Sequence, residues 1–178
     1  MKSVLISIQP KWCELIASGK KKIEVRKTAP KDKEPFKVYI YQTKKKWIYK
    51  LLKKLGLWQC KVIGEFVCDK VYQYTTGLIK DFDTISNEEI EKESCLTHTE
   101  LKQYEMSGSD NAVFTRWGLF GWHISDLKIY DKPKELGEFR VYCEKKSCLK
   151  CKRSERKSYS FECGQLDKPP QSWFYIEQ

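Results

Sequence analysis

Between Ser18 and Lys27 the chain reads SGKKKIEVRK, which sets Gly19, Lys20, Lys21, Lys22, Glu24 and Arg26 within eight positions. In an extended segment Glu24 and Arg26 fall on one face, because strand side chains alternate with period two. Lysine and arginine donate to phosphate oxygens, and a carboxylate beside them accepts from a base edge, so the set suits nucleic-acid recognition. A buried lysine beside a carboxylate also suits hydrolysis, as nucleophile or base. The plain alternative is an exposed Glu24–Arg26 pair that steadies a strand by ~0.2–1 kcal/mol. That pair leaves the glycine and the triple lysine ahead of it unexplained.

A second group of residues offers sulfur. Cys148-Leu149-Lys150-Cys151 is a C-x-x-C pair, with Cys143 upstream and Cys163 downstream. Four thiolates around a hairpin-like insert would give a tetrahedral structural zinc site that stabilises a polar segment. The spacing differs from that of two C-x-x-C knuckles, so a basic loop with reduced thiols stands as the other reading. Lys150, Lys152, Arg153, Arg156 and Lys157 around it would extend a nucleic-acid surface. Cys13, Cys60, Cys68 and Cys95 sit among apolar neighbours and read as small hydrophobes in a reducing compartment. Neither histidine supports catalysis: His98 lies in a polar helical segment, and His123, between Trp122 and Ile124 in a strand, reads as a core or hydrogen-bonded residue. No GxSxG, Walker loop, dinucleotide fingerprint or HExxH occurs.

The elements that position these residues follow from periodicity. Val4, Ile6 and Ile8 alternate with polar residues as a strand, and Pro10 ends it. Trp12, Leu15 and Ile16 recur at helical spacing, with Gly19 as the C-terminal stop. Strands follow at Ile23–Arg26 and from Phe36 to Tyr41. A basic amphipathic helix is expected between Lys44 and Leu57, and a long central strand from Val62 through Tyr74. Ser86, and Thr97 or Thr99, are candidate caps of two helices that end in a Gly108-Ser109 turn. Two strands split by glycines are expected from Ala112 to Pro133, and a last strand after Pro169-Pro170.

Charge and length bound the function. Of the 178 residues, 34 are Lys or Arg and 24 are Asp or Glu, a net charge of +10. Residues 1–60 alone carry sixteen basic against four acidic residues, so the excess sits at one end. A concentrated basic field is the footprint of a phosphate-rich partner, or else a solubilising surface. No apolar run approaches a membrane span, and MKSVLISIQP lacks the apolar core and cleavage site of a secretory signal. The expectation is a cytoplasmic protein with no membrane partner. Trp47, Trp117, Trp122 and Trp173 are candidates for base stacking, at ~1–3 kcal/mol per stacked base.

The stretch G-x-K-x-x-E-x-R, placed after a strand and a helix and entering a second strand, resembles the signature of the ASCH domain family of the PUA-like superfamily. ISIQPKWCELIASGKKKIEVRK resembles the family opening throughout, and GWHISDL and PPQSW resemble later segments of bacterial and phage members. The likeness covers Met1 to about Leu136 and resumes at Lys168. It implies an α+β fold, a PUA-like small mixed, mostly antiparallel β-barrel flanked by helices. The expectation is one domain over residues 1–178, with a cysteine-containing basic insertion at 137–167.

The resemblance also implies a cleft that binds RNA or another single-stranded nucleic acid, lined by Lys20, Lys21, Lys22, Glu24 and Arg26. The PPQSW likeness adds Ser172 and Trp173. Some ASCH relatives are N4-acetylcytidine amidohydrolases with a catalytic Lys, Thr and Glu, and ribonuclease activity is associated with others. Aligned on GxK, Lys21 matches the lysine, but Glu24 stands where the threonine would be. The hydroxyl nucleophile is therefore missing, and a catalytic set would have to be Lys21, Glu24 and a further carboxylate, for which Glu65 is the candidate. The sequence favours binding over catalysis. A hydrolase of a modified nucleoside or RNA, and a small protein-interaction module for an acidic partner, remain as alternatives.

Overall fold

A computed structural model describes residues 3–31, 35–44, 60–74, 85–107, 118–141, 164 and 166–177. The chain divides into two compact units, Met1–Cys13 with Lys37–Glu65 and Lys128–Gln178, and Glu14–Phe36 with Phe66–Leu127. The described elements are strands β1 (Ser3–Ile8), β2 (Ile23–Arg26), β3 (Phe36–Gln42), β4 (Val62–Cys68), β5 (Val71–Tyr74), β6 (Leu119–His123), β7 (Ser125–Lys134), β8 (Arg140–Val141) and β9 (Trp173–Glu177). Helices are α1 (Pro10–Ala17), α2 (Asn87–Ser94) and α3 (His98–Met106), with a short 3-10 turn at Leu136–Glu138.

The first unit carries most of a six-stranded sheet of order β7-β4-β3-β1-β9-β8. β1 runs parallel to β3 and antiparallel to β9, which pairs antiparallel with β8. Its core gathers Leu5, Tyr39, Tyr41, Val62, Phe139, Leu166 and Ile176. Gly64 permits the close approach of β7, since a Cβ there would stand 2.5 Å from the Lys128 carbonyl oxygen. Ser7 ties the PPQSW turn to β1: its N–H donates to Ser172 O at 2.9 Å and its hydroxyl to Pro170 O at 2.7 Å.

The second unit holds a three-stranded antiparallel sheet of order β2-β6-β5, with α2 and α3. Ile23, Val25, Tyr72, Tyr74, Ile90, Leu101 and Leu119 form its core. Ser86 caps α2 by accepting from Glu89 N–H, and Thr97, not Thr99, opens α3 with a reciprocal capping box to Glu100.

One expected strand is broken and one expected division is moved. Val62 to Tyr74 is two strands, separated at Asp69-Lys70 and belonging to different sheets. In the described part of the segment from Ala112 to Pro133, two strands divide at Ile124 and not at a glycine, and Asp126 just beyond adopts the left-handed conformation at φ 46°. The paired breaks are joined within the second unit. His123 Nδ1 lies 2.6 Å from Asp69 Oδ1, His123 N–H donates to Lys70 O, and Ser125 Oγ donates to Val67 O.

Apart from Lys44, the basic helix expected between Lys44 and Leu57 lies outside the described residues, as do Trp117 and the Gly108-Ser109 turn. Cys143, Cys148, Cys151 and Cys163, the expected zinc ligands, lie outside them too. Among the described residues no His/Cys/Asp/Glu cluster could hold a metal ion, and no helix is long and apolar enough to cross a membrane.

Candidate functional site

The motif begins where α1 ends. Gly19 adopts φ 71°, its N–H donates to Ile16 O at 2.9 Å, and Lys20 N–H donates to Leu15 O at 2.9 Å. This pair of bonds is a Schellman ending, which favours a residue with no Cβ at the left-handed position. Lys21 N–H also donates to Leu15 O, at 3.0 Å. The turn sends the three lysines to different places: Lys20 and Lys22 are exposed, whereas Lys21 is buried.

Inside, Lys21, Glu24 and Arg26 form one charged cluster. Lys21 Nζ donates to Ser94 O at 2.7 Å and lies 3.5 Å from Glu24 Oε2, while Arg26 Nη2 lies 2.9 Å from Glu24 Oε1. Each carboxylate oxygen thus faces one cation. The side chains of Lys21, Glu24 and Arg26 are only 2%, 7% and 10% exposed. Burial pushes the Lys21 pKa below its ordinary 10.5, and the neighbouring Glu24 only partly opposes that shift. Buried ion pairs carry a desolvation cost that packed apolar residues avoid, so stability alone is a poor reason for this cluster.

Strand register gives the cluster an aromatic border. Glu24 lies opposite Trp122 on β6 and Arg26 opposite Phe120. Trp122 is fully buried and meets Phe36 edge-on at 5.5 Å, which makes it a packing residue and not a stacking platform. The opposite face of β2, Ile23 and Val25, packs into the unit's core.

The C-terminal end of α2 completes the site, and nothing in the sequence signals it. Lys22 N–H donates to Glu93 O at 2.8 Å, Lys22 Nζ lies 3.4 Å from Glu93 Oε2, and Cys95 Sγ donates to Lys20 O at 3.4 Å. With the Lys21 bond to Ser94, two consecutive motif residues donate to carbonyls at the negative end of one helix, and Lys20 accepts from the residue that caps it. The partners stand as far as seventy-five positions away along the chain. Lys27 does the same for α3, donating to Glu105 O and Ser107 O beside the Tyr104 ring.

Glu65, Ser172 and Trp173 belong to the other unit. Glu65 Oε1 lies 3.1 Å from Lys37 Nζ, and Oε2 accepts from the Tyr130 hydroxyl. Burial raises the Glu65 pKa, but Tyr130 and Lys37 outweigh it and hold the carboxyl below the usual range. Burial and Glu65 together push the Tyr130 phenol up. Trp173 is half-buried and meets Tyr175 edge-on at 5.5 Å. Both histidines are hydrogen-bonded: His123 to Asp69, and His98 to Tyr74 at 2.8 Å and Glu91 at 3.2 Å. Burial and Glu91 push Tyr74 up to about 12.

The sequence matches no protein-family model, and no curated protein matches it. Solved structures do match. The crystal structure of the ASCH protein from Zymomonas mobilis superposes with a TM-score of 0.53 at 17% identity, over 99% of this chain and 89% of that one. One single-residue mutant of that protein gives 0.54 at 16% over 100% and 92%, and another gives 0.56 at 16% over 99% and 89%. The chain has the fold of an ASCH domain. Within that α+β fold, the GxKxxExR residues occupy the corner between α1 and β2.

Proposed function

We propose that this ASCH-fold protein binds RNA or single-stranded nucleic acid through the corner between α1 and β2. The observation that carries the reading is the division of labour among the lysines. Lys20 and Lys22 stand exposed on a turn whose backbone is fixed by the Schellman bonds, and the turn rests on the buried Lys21–Glu24–Arg26 cluster. Cations on a rigid turn lose little freedom when they meet a phosphate, and the chain's charge of +10 draws such a partner in. Glu24 and Arg26, almost wholly buried and paired with each other, hold that turn from beneath, so the exposed lysines carry the contact; Ser172 and Trp173, in the other unit, are proposed as a separate contact. The likeness in fold to the Zymomonas mobilis ASCH protein supports a PUA-like binding module.

Labelled single-stranded RNA measured by fluorescence anisotropy at two salt concentrations tests this. Affinity is expected to fall as salt rises, and replacing Lys20 and Lys22 by alanine should reduce the slope of log K on log salt by ~0.7 for each phosphate that is no longer neutralised. Binding that is absent, or indifferent to salt, rejects the proposal.

One observation favours a hydrolytic second reading: burial lowers the Lys21 pKa, which raises the fraction of uncharged amine able to act as base or nucleophile. Incubating the protein with N4-acetylcytidine and with RNA, alongside Lys21→Ala, tests it. Turnover that survives in Lys21→Ala sinks that reading.

A further inference from the structure

The main chain of Lys22 is held on both sides. Its N–H donates to Glu93 O at 2.8 Å, and its carbonyl accepts from Ile124 N–H at 2.8 Å. The backbone of the turn is therefore fixed between α2 and the end of β6 without any help from the lysine side chain. That side chain nevertheless makes an ion pair, with Lys22 Nζ 3.4 Å from Glu93 Oε2. The partners differ in access: the lysine side chain is 58% exposed and the glutamate side chain 23%. Glu93 also stands in the last turn of α2, where a carboxylate opposes the helix dipole. Neither the strand nor the helix calls for a carboxylate at this position.

We propose that Glu93 is an internal competitor for phosphate, which occupies Lys22 in the free protein and is displaced when a nucleic-acid phosphate reaches the ammonium from the solvent side. The inference rests on the reading of Lys20 and Lys22 as phosphate contacts, and it adds a restraint to that site. A main-chain hydrogen bond tethers the two residues, so the carboxylate meets the ammonium at a high effective concentration. An incoming phosphate has to outcompete it. Once displaced, Glu93 loses its cation and stands close to a second negative charge, which lowers the affinity further. The pair thus tempers binding without removing the site.

Fluorescence anisotropy of labelled single-stranded RNA with the wild type, Glu93→Gln, Lys22→Ala, the double variant and Glu89→Gln tests it. Glu93→Gln keeps the size of the side chain and removes its charge, and circular dichroism verifies that each variant folds. It should bind RNA ~2–5-fold more tightly than the wild type at low salt, the effect of releasing one ion pair near the surface. Its slope of log K on log salt should steepen by up to ~0.7. Because the gain acts through Lys22, it should vanish when Glu93→Gln is combined with Lys22→Ala. Glu89→Gln removes an exposed carboxylate from the first turn of the same helix and should change affinity less than Glu93→Gln. The proposal is overturned if the wild type binds with the expected salt dependence and Glu93→Gln only matches it. It is equally overturned if the gain persists in the double variant or is reproduced by Glu89→Gln, since either would mark a general field effect. Binding by neither the wild type nor Glu93→Gln overturns the reading of the corner and this proposal with it, so the two failures are told apart.

Discussion

Each unit of this protein carries a lysine–glutamate pair, and the two pairs behave in opposite ways. In the second unit Lys21 and Glu24 are 2% and 7% exposed, and desolvation lowers the lysine pKa despite the carboxylate beside it. In the first unit Lys37 and Glu65 are 33% and 19% exposed, and the hydrogen bond to Glu65 raises the lysine pKa. The ions stand closer in the exposed pair, 3.1 Å against 3.5 Å, which itself favours a raised lysine pKa, while at Lys21 desolvation is the largest influence and exceeds the pull of Glu24. Glu24 needs a second cation, Arg26, to satisfy its other oxygen, whereas Glu65 is completed by a neutral phenol.

The largest expected effect follows from that contrast. Glu24→Gln leaves two buried cations without their counter-charge and should cost about 3–5 kcal/mol of unfolding free energy. Glu65→Gln, where solvent screens Lys37, should cost about 1 kcal/mol. Urea denaturation of both variants checks the pair, and equal losses would mean that the buried cluster is solvated in solution.

The glycines give the next contrast. Gly64→Ala drives a Cβ to within 2.5 Å of backbone at Lys128, where nothing flexible can yield, and should cost about 1–3 kcal/mol. Gly19→Ala meets open space and suffers only from its positive φ, so about 1 kcal/mol is expected. Thermal unfolding distinguishes them. A loss at Gly19 as large as at Gly64 would place strain in the motif turn beyond its backbone angle.

Much of this arrangement was legible in the sequence, and the exceptions share one cause. Period-two runs mark β1, β2 and β3, Gly19 marks the end of α1, and Ser86 and the choice of Thr97 or Thr99 mark the helix starts, because these signals are local. The breaks at Asp69-Lys70 and Ile124 carry no glycine or proline, and they are fixed by the pairing of Asp69 with His123 across the unit. Burial of the middle lysine of three was equally hidden, since it depends on the carbonyl of Ser94. Cys60 and Cys95, read as buried hydrophobes, are half-buried and adopt φ 63° and 56°, with Cys95 capping α2. Spacing groups Lys21, Glu24 and Arg26, but which of the lysines stays in water is a tertiary fact.

The smallest effect is in the alkaline limb of stability. Lys21 binds its proton less tightly folded than unfolded, so below its folded pKa it subtracts from stability, and the loss is recovered as pH rises from there towards 10.5. Lys37 binds its proton more tightly when folded, so its contribution is complete below 10.5 and disappears as pH climbs through the raised folded value. Urea midpoints measured from about pH 8 to about pH 11.5 for the wild type, Lys21→Met and Lys37→Met isolate each lysine by difference. Relative to Lys21→Met the wild type should gain stability up to pH 10.5, and relative to Lys37→Met it should lose stability beyond 10.5. Two difference curves of the same sign would show that burial does not separate the two pairs, and the case for a desolvated amine at Lys21 would go with it.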